Sequence, residues 1–278
     1  GKDGLLDISL AAGRRRTVMK AYAHRSPLQM GRLLYPDVSC PEMAYCYTAM
    51  LTGGLVQGDR LEQRISVEAG ARAHVTTLAA TKIYRMANNH ASQRLQLRVA
   101  AGGVLEWWPD PVIPHRGARF VQDVTLSVAD EGVLVYGDLL LPGRTGEQHA
   151  YAVYQSRITA RRPDGTLLFV DTQALAPSPP GARPLHETLP PERGVIGSVF
   201  VLCPVAASDD LSSELRQAIR HWDTSEMLGG CTTLPAACGI MVRFLAVDGL
   251  AGRKAAAQVL HIMRQQLLGT PVPPMRKY

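Results

Sequence analysis

The chain has 278 residues, a hydrophobic fraction of 46% and a formal net charge of +6. That length buries ample core in one large or two small domains without metal or disulfide support. Lys and Arg are scattered, with no basic run interleaved with aromatics, which disfavours nucleic acid; no apolar stretch is long enough to span a bilayer.

The start carries no signal-peptide pattern, and opening at Gly1 rather than Met leaves room for an N-terminal extension. The five cysteines are Cys40, Cys46, Cys203, Cys231 and Cys238. An odd count without a C-x-x-C pair points to free thiols in a reducing, cytoplasmic setting.

Residues 5–10 read as a short strand, followed by a solvated turn at Arg14, Arg15 and Arg16. Residues 17–24 and 28–35 read as two strands around Ser26 and Pro27, and 43–51 as an apolar run. Residues 53–61 then place Gly53, Gly54, Gly58, Asp59 and Arg60 together, a tight turn or a close backbone approach. No Gly-Lys-Ser/Thr follows, so this is not a phosphate loop. Leu61, Ile65 and Val67 alternate with polar residues, as a half-buried strand does.

Residues 53–147 hold three copies of one pattern: an alternating strand, a tight turn, and a second strand running into a motif. The strand–turn–strand parts are 65–75, 97–107 and 126–136. The motifs after them are 76–85, 108–114 and 137–147. A recurrence of roughly 30 residues signals stacked supersecondary units that share one core. Equivalent ends of the units should therefore meet along one edge or channel. The prolines at 109 and 111 exclude a central strand there.

Residues 151–160 and 167–172 form a hairpin, and 176–194 a long Pro-rich loop. Residues 195–205 read as a buried strand. Ser208 caps a helix with Asp209 and Asp210 in its first turn and Leu211, Leu215, Ala218, Ile219 and Trp222 on one face. Residues 239–247 are a strand and 250–268 a second helix, with Ala256, Leu260, Met263 and Leu267 on one face and Gly269 closing it. The expected fold is mainly β: a single domain with a stacked-strand, β-helix-like body of two-layered sheets over 1–175. A strand and helix part over 195–278 adds two α-helices near the C-terminus.

No Gly-x-Ser-x-Gly elbow frames a serine nucleophile. The eight histidines are dispersed, and neither His nor Cys has metal-ligand spacing, so no tight structural metal site is expected. The acids are more telling. Asp59 and Asp110 fit turn formation. Asp138 and Asp171 instead sit inside apolar runs, where a carboxylate is expected to be paired or to line a water-filled passage. Carboxylates along such a path would hold divalent ions weakly and transiently.

These motifs together resemble the urease accessory protein family UreD, also called UreH. The glycine turn at 53–61 is similar to the family's Gly-Gly-Ile-Val-Gly-Gly-Asp-x-Leu, with Gln57 where the family has glycine. Residues 76–85, which include Thr81, Lys82, Tyr84 and Arg85, match Thr-Thr-x-Ala-Ala-Thr-Lys-x-Tyr-Arg. Residues 105–113, with Glu106, Trp107 and Pro109, match Leu-Glu-Trp-x-Pro-x-x-x-Ile. Gly143, Arg144 and Glu147 are similar to a longer Gly-Arg-x-x-x-Gly-Glu, and the Pro-x-Arg-x-aromatic ending recurs with Arg276, Lys277 and Tyr278.

The resemblance implies a non-catalytic maturation factor. It would bind UreF, through it the GTPase UreG, and apo-urease, and allows a dimer of the accessory complex. Nickel would cross it in transit through an internal tunnel, with no tightly bound cofactor. Asp59, Thr81, Asp138 and Asp171 match positions linked to that path, and the 276–278 tail would bind a partner. Two other readings stand beside this one. One is a metal-assisted hydrolase using the acidic cluster. The other is an interaction module without a metal path, docking through an exposed C-terminal helix and tail.

Overall fold

Alternation in the first strand buries Leu6, Ile8 and Leu10 on one face, and the same alternation recurs in each repeat. The computed structural model describes residues 1–147, 149–175 and 193–274, with backbone alone for 205–208. In chain order the strands are β1 (Asp3–Ala12), β2 (Thr17–Arg25), β3 (Leu28–Met30), β4 (Ala44–Met50), β5 (Arg60–Val67), β6 (Arg72–Thr77), β7 (Thr81–Ile83), β8 (Ala91–Val99), β9 (Val104–Trp107), β10 (Val112–Pro114), β11 (Arg119–Val128), β12 (Val133–Leu140), β13 (Val153–Arg161), β14 (Leu167–Leu175), β15 (Val195–Leu202), β16 (Met227–Thr233) and β17 (Gly239–Ala246). Two helices, α1 (Val205–Arg220) and α2 (Gly249–Leu268), follow β15 and β17.

The three repeats coil as the period predicts. Each passes from a first sheet to a second and returns, giving a β-solenoid of about 4 turns. The first sheet runs β14-β13-β11-β8-β5-β1-β2, and the second β16-β17-β15-β12-β9-β6-β4-β3. Neighbouring turns pair in parallel, so like residues stack. Ile8, Ile65, Leu97, Leu126 and Ala160 form one such row, all fully buried. Burying each Ile or Leu is worth about 1.5–3 kcal/mol, and a one-residue slip would turn the whole row outward.

Along β12, β15 and β17 alternate residues face either the space between the sheets or the helices. Tyr136, Phe200 and Leu202 join the inter-sheet core. Val135, Val199, Val201, Val242 and Phe244 join a second core under α1 and α2. Asp248 caps α2, its Oδ1 accepting the Leu250 and Ala251 N–H groups at 2.8 Å, and Gly269 closes the helix at φ 64°.

Several expectations need correction. The strand expected over 28–35 stops at Met30. Helix α1 begins at Val205 behind Pro204, so Ser208 is not its cap and its first turn holds no acid. The edge strand β16 had no sequence signature, because its exposed Leu-Gly-Gly stretch does not alternate. The C-terminal helix is packed on the second sheet, burying Ala251, Ala255, Val259 and Met263 among others, and is not an exposed element. Residues 176–192 of the Pro-rich loop, and Arg276, Lys277 and Tyr278, lie outside the described residues.

Candidate functional site

The motifs meet along one edge, as the stacking requires. β7 and β10 pair in parallel, Thr81 opposite Val112 and Ile83 opposite Pro114, and Val112 also stands opposite Leu140 of β12. Leu55 bridges to Ile83, drawing the glycine turn onto the same edge. A Cβ on Gly54 would stand 2.7 Å from the Lys82 carbonyl oxygen, so glycine is what allows that approach. Tyr84 donates to the Gly53 carbonyl at 3.0 Å. Gly143, at φ 128°, starts a loop whose Glu147 carboxylate accepts the backbone N–H of Arg116 and of Arg144. Arg60, Lys82 and Arg85 are exposed, Pro109 is half-buried and Trp107 is buried.

Gln57 explains its own departure from the family pattern. Its Oε1 accepts the backbone N–H groups of Ala87, Asn88 and Asn89 at 3.1–3.3 Å, so the side chain ties the glycine turn to the loop before β8.

The four residues assigned to a nickel path separate into two groups. Asp59 is buried in the glycine turn, with Oδ1 on the Lys2 N–H at 2.8 Å and Oδ2 on the Val56 N–H at 3.0 Å. That is turn formation. Thr81 begins β7 on the motif edge. Asp138 and Asp171 are instead brought together between the sheets. Asp138 stands opposite Ser198, and Ser198 opposite Arg243. Arg243 donates to Asp171 Oδ2 at 2.9 Å and to Ser198 Oγ at 3.2 Å.

The polar strip continues from there. Tyr154 donates to Asp138 Oδ2 at 3.4 Å. Gln122 donates to Tyr136 Oη at 3.0 Å and Ser156 Oγ at 3.2 Å, and accepts from Gln93 at 3.2 Å. The strip thus crosses β8, β11, β13 and β14 on one sheet and β12, β15 and β17 on the other. Burial pushes the Asp138 carboxyl up to about 6, opposed by Tyr154, the Leu139 N–H and the Arg243 charge. Burial also raises the Tyr136 and Tyr154 hydroxyls well above their ordinary value, so both stay protonated.

A second polar cluster was missed from the sequence. Arg264 of α2 is fully buried against the outer face of the second sheet. Its Nε donates to Glu106 Oε1 at 2.8 Å, Nη1 to Asp37 Oδ2 at 2.7 Å, and Nη2 to Tyr45 Oη at 2.8 Å. His74 Nδ1 lies 2.7 Å from Glu106 Oε2. Burial would raise the Glu106 carboxyl, but His74 and Arg264 outweigh it and hold it below the ordinary range. Arg264 continues the row Ala256–Leu260 at i, i+4 spacing, and a cation in that row was the available signal. Glu106 therefore anchors α2, through a side chain that lies away from the inter-sheet strip.

Among the described residues no group of three or more His, Cys, Asp or Glu is placed to hold a metal ion. All five cysteines are free. No described helix is long and apolar enough to cross a membrane.

The family model for the UreD urease accessory protein matches residues 2–278. The chain belongs to the UreD family. Urease accessory protein UreD 2 of Streptomyces griseus is 35% identical over 278 residues, covering 99% of this chain and 94% of that protein. Urease accessory protein UreD of Yersinia pseudotuberculosis is 34% identical over 281 residues, covering 98% of this chain and 85% of its own length. The UreD of Cenarchaeum symbiosum is 33% identical over 279 residues, covering 100% of this chain and 96% of its own. Membership of UreD places the chain among proteins that serve urease maturation.

Proposed function

We propose that this UreD chain is a scaffold that binds UreF, through it the GTPase UreG, and apo-urease, and that nickel crosses it along the polar strip between the two sheets. The observation that carries this reading is the partly buried Asp138–Ser198–Arg243–Asp171 group, which continues into a polar strip between two otherwise apolar sheet faces. Withdrawing a carboxylate from water costs stability unless it is paired, and Asp138 has only the long Tyr154 contact and the Arg243 charge to offset that cost. Oxygen donors dispersed along a strip suit weak, successive contacts with a hydrated divalent cation. An ion held tightly would not leave, the same constraint that governs ion channels.

Arg243 serves as the resident counter-charge. It balances Asp171 and the nearby Asp138 when no cation is present, and its half-exposed side chain can withdraw when one arrives. The motif edge and the cluster around Arg264 build the body and leave the strip to the transported ion.

The experiment is reconstitution of apo-urease with UreF, UreG and this chain, followed by nickel analysis of the urease. Asp138→Ala and Asp171→Ala should still co-purify with the partners and deliver less nickel. Full nickel content with both variants would leave only the docking role.

A further inference from the structure

The motif edge carries a groove that transport along the interior does not use. It runs beside β7 and β10 and holds about 500 Å³, lined by Lys82, Tyr84, Ile113, His115, Leu141 and Arg144 among others. Three motifs far apart in sequence supply it, and the β7–β10 pairing brings them together. Its floor is apolar, and Tyr84 stands edge-on to His115 with ring centroids 5.1 Å apart.

The charged side chains that line the groove are cations. Lys82 and Arg144 are exposed at it. Among the described residues, neither is within ion-pair distance of a carboxylate. Glu147 borders the groove, its carboxylate accepting the Arg116 and Arg144 backbone N–H groups while also feeling the His115 and Arg144 charges. His115 lies among these charges: burial lowers its pKa most, Glu147 pulls it back up, and Arg144 and Lys82, each weaker than Glu147, lower it further.

We infer that this groove is a docking site for an acidic segment of urease carrying an apolar or aromatic anchor, its carboxylates on Lys82 and Arg144 and its anchor on Tyr84, Ile113 and Leu141. The inference rests on the urease-scaffold reading and names the surface through which it would act. Charge complementarity is its ground: an apolar floor with two uncommitted cations at the rim suits a segment of opposite charge with a buried anchor.

The test uses the full chain. Lys82→Glu with Arg144→Glu reverses two exposed charges, and Arg98→Glu with Arg161→Glu makes the same change in net charge on the outer face of the first sheet. Binding of purified apo-urease is measured for each at low and at 0.3 M salt. A photo-crosslinking residue at Thr145 then identifies the segment in contact. The groove variant should bind urease on the order of tenfold more weakly, with a flatter salt dependence, while the outer-face variant binds as wild type. The crosslinked urease peptide should be rich in Asp or Glu. Unchanged binding by the groove variant, or a crosslink to UreF while urease remains bound, would overturn the inference. Failure of wild-type protein to bind urease at all would instead count against the scaffold reading itself.

Discussion

Arg264 and Glu106 are 158 residues apart in sequence and 2.8 Å apart in space, and both side chains are fully buried. The pair fastens the last helix to the centre of the second sheet. Asp37 Oδ2 and the Pro271 carbonyl accept from Nη1, and Tyr45 Oη, Glu106 Oε2 and the Met43 sulfur from Nη2.

Arg264→Met leaves Glu106 and Asp37 as buried acids without their cation. The expected loss is about 3–5 kcal/mol of stability. Arg264→Lys should fall between the two, because an ammonium cannot reproduce the forked donor geometry. Denaturant unfolding checks the order, and hydrogen exchange should show α2 released first.

Asp138 makes the pH dependence run opposite to the usual carboxylate. Its folded pKa is pushed up to about 6, above the unfolded value of about 3.9. Ionisation therefore disfavours the fold, fully above pH 6, fading between 6 and 4, and not at all below 4. Asp138→Asn removes that cost. The variant should melt higher than wild type at pH 7.5, by an amount corresponding to roughly 2–3 kcal/mol, and equal it near pH 4. Lower stability of the variant at pH 7.5 would contradict this account of Asp138.

Arg243→Gln removes the counter-charge of Asp171 and leaves Asp138 more exposed to its neighbour's field. The isolated protein should then bind nickel several-fold more tightly in a calorimetric titration, and urease matured with it should fill more slowly. Weaker binding by the variant would mean that Arg243 does not compete with the ion.

Gly54→Ala introduces a Cβ 2.7 Å from a backbone oxygen of β7. Backbone cannot move aside as a flexible side chain can, so a cost of about 1–3 kcal/mol is expected. The bridge between Leu55 and Ile83 should open with it. Amide exchange at Leu55 and Tyr84, which bond across this seam, reports the effect.

The solenoid was legible because its signal repeats. The turns at Gly70 and Gly102 and the alternating strands around them recur at nearly constant spacing, and stacking follows from that alone. The edge formed by Thr81, Val112 and Leu140 was legible for the same reason. Arg243 and Arg264 were not, since each looks like a surface cation until its partners arrive from strands 72 and 158 residues away. Asp138 and Asp171 stood out because an acid in an apolar run must be accounted for. Asp59 already fitted turn formation in the sequence, entering the nickel path only through the resemblance, and its two backbone donors agree with the turn reading.

Whether nickel crosses the strip is decided by counting nickel atoms per urease active site after maturation with an Asp138→Asn, Asp171→Asn variant that still co-purifies with apo-urease. The expected outcome is an intact complex around urease that is largely empty of nickel. Urease filled to the wild-type level by that variant would contradict it.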